Sequence, residues 1–157
     1  MRALIDQPGP IRLARAVLWT KAGSGGTELP WHQDDGAFWG IAPGPRLTLW
    51  TALDDAPIES GCLEVVPGSH LGGLVTATGG VVPDAQAATA GSTVLVPARA
   101  GEVLALHNHL WHRSGRNTTG RPRRALSVCY LGAASRCTRK RAPRTFVELF
   151  AASGESV

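Results

Sequence analysis

Nineteen glycines and eleven prolines spread over 157 residues, short apolar runs between them and no long amphipathic period predict an all-β domain with little helix. Six to eight short strands in succession suit a jelly roll or double-stranded β-helix barrel. Strands are expected at about 11–20 (IRLARAVLWT), 28–34, 46–54 (RLTLWTALD), 62–66 (CLEVV), 92–97 (STVLVP), 102–107 (EVLALH), 111–114 and 123–131 (RRALSVCYL). ALDD, PIESG, PGSHLGG and NTTGRP between them are turn or loop signals. Residues 71–91 are rich in Ala, Gly and Thr without a period, and read as a long loop. Such loops serve as lids or are plain insertions; within it, 83–90 (PDAQAATA) suits one short helical turn. No internal repeat is visible, so the chain reads as one domain, 1–157, with a core at 11–131 and a C-terminal extension from 132.

The composition excludes several classes. With 43% apolar residues and five Trp, the chain can bury a core and is not disordered. A net charge of +4 suits anionic small molecules. The basic residues are not interleaved with aromatics, which argues against a nucleic-acid partner. Arg136, Arg139, Lys140, Arg141 and Arg144 read as a solvated face, with docking of an anionic carrier or a CoA-like phosphate as the alternative. Three cysteines (Cys62, Cys129, Cys137) without CxxC spacing argue against a disulfide framework and a thiolate zinc site. They read as small buried residues of a reduced, cytoplasmic protein. No secretory h-region opens the chain and no apolar run is long enough to span a membrane, so neither secretion nor a membrane partner is expected.

The chemistry gathers around PWHQDDGAFWG. On a strand, side chains at i and i+2 share a face, so His32 and Asp34 can aim an imidazole nitrogen and a carboxylate oxygen at one point. HxD alone is a weak signal. A third ligand is supplied best by His112 in LWHRSGRN, 80 residues after His32, with His109 as a rival. Two His and one carboxylate on one face, with the other positions open, is the donor set of non-haem Fe(II) oxygenases. The open positions leave room for a bidentate 2-oxo acid and O₂. His107 and His109 otherwise read as a strand end and a surface residue, and His70 in PGSH as structural.

The series HQD, SGCLEVVPGSH and GEVLALHNHLWHRSGRNTTGRPRRALSVCY, from about Leu29 to Tyr130, resembles the phytanoyl-CoA dioxygenase family. The resemblance implies a double-stranded β-helix, Fe(II), 2-oxoglutarate and O₂, with oxidation of an unactivated C–H bond of a small-molecule substrate. It implies His32, Asp34 and His112 as iron ligands. It also implies Arg123, eleven residues after His112, as partner of the far carboxylate of 2-oxoglutarate, and Ser114 as a hydroxyl sharing that carboxylate. Trp50 corresponds to an aromatic of the co-substrate pocket, and Gln33, between the ligands, to a residue touching the co-substrate. A guanidinium fork suits a buried carboxylate through two charge-assisted hydrogen bonds. Arg123 and Arg124 are adjacent, so only one can face inward; the family register selects Arg123, with Arg124 as the alternative. Phe38, Trp39 and Trp111 lie near ligands and read either as substrate-pocket walls or as core.

Asp34 keeps the carboxylate that related halogenases replace by a small residue, which favours hydroxylation. Only 31 residues precede His32, where the family usually carries a helical region. That raises a second reading, a non-catalytic or partner-dependent metal- or ligand-binding barrel. A third, a cupin-like enzyme without 2-oxoglutarate, is disfavoured because a buried Arg123 needs an anionic partner. The Ala-, Gly- and Arg-rich composition hints at a GC-rich bacterial genome and at small or secondary metabolites as substrates.

Overall fold

The computed structural model describes residues 9–24 and 26–151; the ends of the expected 1–157 domain lie outside the described residues. In chain order the strands are β1 (Ile11–Lys21), β2 (Leu29–Gln33), β3 (Ile41–Ala42), β4 (Leu47–Ala52), β5 (Leu63–Val65) and β6 (Gly80–Val81). They continue as β7 (Val94–Val96), β8 (Val103–His107), β9 (His112–Ser114), β10 (Arg123–Leu131), β11 (Arg136–Cys137) and β12 (Glu148–Phe150). A major sheet runs β12-β1-β10-β4-β8, a minor sheet runs β6-β2-β9-β5-β7, and β11 pairs with β3. The paired strands are antiparallel. This is the jelly-roll fold that the sequence predicts. No helix among the described residues is long and apolar enough to cross a membrane.

Each of the eight expected strands has its counterpart. Four more, β3, β6, β11 and β12, are two or three residues long, too short to show alternation. The expected loop 71–91 is not loop throughout. Gly80 and Val81 of β6 pair with Gln33 and His32, and Asp84–Ala87 forms the short helical turn. The expected C-terminal extension returns to the body: β11 pairs with β3, and β12 adds an edge to β1.

Alternation decides what the major sheet buries. In β10, Arg123, Ala125, Ser127 and Cys129 are buried, while Arg124 between the first two is exposed. In β4, Thr48, Trp50 and Ala52 share the buried face. β1 carries an irregularity between Leu13 and Arg15, where its register against β10 shifts. A bulge of this kind inserts one residue and resets the face that follows. After it, Arg15, Val17, Trp19 and Lys21 stand opposite Cys129, Ser127, Ala125 and Arg123. One core cluster holds Trp50, Ala52, Ala56, Leu63, Ala98, Leu106 and Ala125; another holds Ala14, Trp39, Ile41, Cys129 and Leu131. Cys62 and Cys129 are buried free thiols.

Leu131 is fully buried, whereas Leu18 on the same sheet is 62% exposed. Leu131→Ala is expected to lower stability by about 2–5 kcal/mol in urea titration, and Leu18→Ala by no more than about 0.5 kcal/mol. Equal effects of the two would contradict the inward face assigned to β10.

Candidate functional site

β2 and β9 lie side by side, and their register sets His32 opposite His112. The two imidazole centroids are 4.1 Å apart, with 49° between the planes. Asp34 sits at a bend one residue beyond the end of β2, so it is not on the strand as the i, i+2 argument assumes. It is nevertheless aimed inward: its Oδ2 is 3.7 Å from His112 Nε2. One ligand-capable atom from each of His32, Asp34 and His112 lies within 4.8 Å of the other two.

The chain holds these groups in a ligating form. His32 Nδ1 is 2.8 Å from the Pro30 carbonyl, and His112 Nδ1 is 2.9 Å from the Leu110 carbonyl, each two residues upstream. A carbonyl only accepts, so each Nδ1 carries a proton, and the neutral ring then has its lone pair on Nε2. Burial, then the neighbouring His32, pushes His112 down to about 4, while Asp34 pulls it upward. It is therefore neutral at pH 7. Asn108, almost fully buried, fixes the Asp34 backbone: its carbonyl accepts from the Asp34 N–H (2.8 Å) and its Nδ2 donates to the Asp34 carbonyl (2.7 Å). Arg15 Nη2 donates to Asp34 Oδ1 at 3.0 Å, with its guanidinium 4.2 Å from the Trp39 ring centroid. Two imidazole nitrogens and one carboxylate fit a divalent first-row metal with open positions.

The triad lines a cavity between the two sheets. Trp19, Lys21, Leu29, Thr48, Trp50, Leu63, Leu106, Ser114, Arg123 and Ser127 complete most of its wall. Arg123 is 3% exposed, and no carboxylate among the described residues lies within ion-pair distance of it. Its Nη2 donates to the Gly61 carbonyl at 2.6 Å, while its Nε is buried without a partner. Burial lowers its pKa. A buried guanidinium with an unused donor fits an anion in the cavity. Arg124 points outward and grips Asp54 with Nε at 2.8 Å and Nη2 at 2.7 Å. The structure thus separates the two adjacent arginines, with Arg123 inside. Ser114, two residues beyond His112, and Trp50 are both buried at the cavity wall.

Other expected residues lie elsewhere. Gln33 does not line the cavity; its Nε2 donates to the Gly73 and His109 carbonyls and its Oε1 accepts from the Val75 N–H. Its side chain ties the segment after Gly72 to the site and is not available to a co-substrate. Phe38, Trp39 and Trp111 also fail to line it. Phe38 is 53% exposed, and Trp39 is core, because the short turn Ala37–Trp39 folds it against Ala14, Ile41, Cys129 and Leu131. The Trp111 N–H donates to Ser69 Oγ. His109 is not a member of the ligand cluster; its Nε2 pairs with Asp35 Oδ2 at 3.0 Å. His107 lies 5.1 Å from both His70 and His109, ring to ring.

The sequence reading missed Arg15, Lys21 and Asn108. A strand-end lysine and an alternating arginine look solvent-facing, and the bulge that turns them inward has no signature in IRLARAVLWT. Asn108 adjoins a histidine cluster that drew attention to itself.

The family model described as phytanoyl-CoA dioxygenase matches residues 2–125. A phytanoyl-CoA dioxygenase of Arabidopsis thaliana is 31% identical over 76% of this chain and 44% of its own length. The L-proline trans-4-hydroxylase of Streptomyces griseoviridis is 32% identical over 78% of this chain and 55% of its own. The crystal structure of the epimerase SnoN in complex with Fe3+, alpha ketoglutarate and nogalamycin RO superposes with a TM-score of 0.72 at 26% identity, over 91% of this chain and 62% of that one. The chain spans about half the length of the curated relatives it matches.

A pH dependence follows from the imidazoles. Burial, then His109, His70 and Arg46, pushes His107 down to about 4, and His112 is pushed down as far. Unfolded histidines titrate near 6.5. Between those values the unfolded chain binds more protons, so stability rises with pH in that window and is lost as pH falls from about 6.5 toward 4. Protein stripped of metal is expected to show a falling melting temperature from pH 7 to pH 4.5, with a shallower slope in His107→Gln. An unchanged slope in that variant would contradict the assignment.

Proposed function

The chain belongs to the phytanoyl-CoA dioxygenase family, and from that premise we propose that it acts as an Fe(II)- and 2-oxoglutarate-dependent dioxygenase. The favoured reaction is hydroxylation of an unactivated C–H bond of a small metabolite, with release of succinate and CO₂. One observation carries the reading: the two-histidine, one-carboxylate cluster and a buried arginine lacking a carboxylate partner share one cavity. On this reading residues 1–157 form one oxygenase domain with its core at about 11–131.

Iron, 2-oxoglutarate and O₂, when bound, supply the oxidising power. The residues supply binding, orientation and exclusion of water. His32 and His112 offer the Nε2 lone pairs that the Pro30 and Leu110 carbonyls hold ready. Asp34 contributes the anionic ligand, and Arg15 restrains its Oδ1. Arg123 takes the far carboxylate of 2-oxoglutarate, using its unpartnered Nε, and the Ser114 hydroxyl donates beside it. Trp19, Trp50, Leu29, Leu63 and Leu106 form the apolar wall that keeps water from the reacting centre. Retention of Asp34 supports hydroxylation over halogenation. L-proline trans-4-hydroxylase among the relatives, and SnoN bound to nogalamycin RO among the solved structures, support a small polar or secondary metabolite as substrate.

Under anaerobic conditions, Fe(II) plus 2-oxoglutarate is expected to give a weak visible charge-transfer band, which Asp34→Ala removes. No band, together with no succinate release on any substrate tried, refutes the proposal. Arg123→Met is expected to weaken 2-oxoglutarate binding about tenfold to a hundredfold, since hydrogen bonds to charged groups contribute about 1.5–3 kcal/mol. Titration of the band measures this, and an unchanged midpoint would remove Arg123 from the carboxylate role.

A further inference from the structure

Lys21 ends β1 directly opposite Arg123 on β10. Both side chains are buried, at 5% and 3% exposure, and both line the cavity. Like charges opposite one another on antiparallel strands destabilise a sheet, and burial sharpens the repulsion. An arrangement that violates a local rule in this way marks a functional position when a ligand would relieve it.

The Lys21 ammonium makes three contacts. Its Nζ donates to the Thr27 carbonyl at 2.7 Å, the Ser114 carbonyl at 3.2 Å and the Gly115 carbonyl at 2.5 Å. Three carbonyls suit the three protons of the charged form. These bonds fasten the β1–β2 connection and the end of β9, which carries Ser114. They supply no countercharge. Glu28 is the acidic group that acts on Lys21, but its side chain is 52% exposed and lies 3.8 Å from Arg116. The thiol of Cys62, beside Arg123, is raised by burial and stays neutral. His32, Asp34 and His112 line the same cavity, and Asp34 is already paired with Arg15. Two buried cations thus stand opposite one another on β1 and β10 and share a cavity wall with Ser114, and neither has a carboxylate within ion-pair distance among the described residues.

We propose that Lys21 is a positioning residue of the carboxylate subsite, a second fixed cation that acts with Arg123 on the far carboxylate of 2-oxoglutarate and holds Ser114 in place to receive it. The proposal rests on the co-substrate reading of Arg123. Lys21 does not touch the anion; it acts through its charge and through the Ser114 backbone. Without an anion, burial and then Arg123 push the Lys21 ammonium down to about 8. The far carboxylate, bound in the subsite, restores its charge. Binding therefore takes up a proton above pH 8, and affinity falls as pH rises through that value.

Isothermal titration calorimetry tests this on Mn(II)-loaded protein with 2-oxoglutarate, from pH 7 to pH 9, in pairs of buffers of different ionisation enthalpy. The wild type is expected to take up a fraction of a proton at pH 8.5 and to bind more weakly there than at pH 7. The probe 2-oxobutyrate, which has no far carboxylate, is expected to show no uptake. Lys21→Met is expected to bind 2-oxoglutarate about tenfold more weakly at pH 7, a pairwise charge effect of about 1.4 kcal/mol, and to lose the uptake. A wild type with no uptake overturns the proposal, even if the variant does not fold. So does a variant with a lower melting temperature but wild-type affinity and uptake, the signature of a purely structural lysine. If Lys21→Met behaves as wild type while Arg123→Met loses affinity, the lysine proposal alone falls. If 2-oxoglutarate does not bind the wild type, or Arg123→Met binds it unchanged, the co-substrate reading falls and this proposal with it.

Discussion

The antiparallel register of β2 against β9 is the constraint on which the site depends. It sets His32 opposite His112 across two short strands. Because side chains alternate with a period of two, a slip of one residue would turn His112 and Ser114 outward together. A three-residue strand could not hold such a register alone. β9 is fixed from its other side as well, where Val65 and Leu63 of β5 face His112 and Ser114. The minor sheet therefore supplies both histidines and the serine from paired strands, and Asp34 from the bend that follows.

The major sheet supplies the counterpart, a row of cations turned inward. Arg15, Lys21 and Arg123 all come from β1 and β10, and the bulge near Ala14 brings the first two into phase with the buried face of β10. Each cation is restrained differently. Arg15 has Asp34 and the Trp39 ring, Lys21 has three carbonyls, and Arg123 has one carbonyl and an unused Nε. Placing fixed positive charge in a cavity of low polarity raises the affinity for an anion above what the same groups achieve in water. Lys21 and Arg123 face each other across paired strands, so like charges are held close together at the cavity wall.

Much of this was legible from the residues alone. All-β architecture follows from Gly and Pro punctuation of short apolar runs, and most of the eight expected strands follow from their apolar content, β9 (His112–Ser114) being the exception. His32, Asp34 and His112 are readable because residue chemistry and local context agree. Ser114 and Arg123 are singled out by the family resemblance; strand alternation adds only that His112 and Ser114 share one face of β9.

The tertiary structure alone decided the rest, because the deciding contacts link residues far apart in the chain. It placed Arg123 inside and Arg124 against Asp54, a choice of register that adjacent arginines leave open. It sent Trp39 into the core and Gln33 to three backbone groups, since a turn and a neighbouring segment claim those side chains before any ligand does. It formed β6 and β12 from residues with no strand period, because pairing with β2 and β1 satisfies their backbone groups. It also turned Arg15 and Lys21 inward through a bulge that local composition does not encode. The ligand types are a property of the sequence; the electrostatic enclosure around them is a property of how β1, β9 and β10 meet.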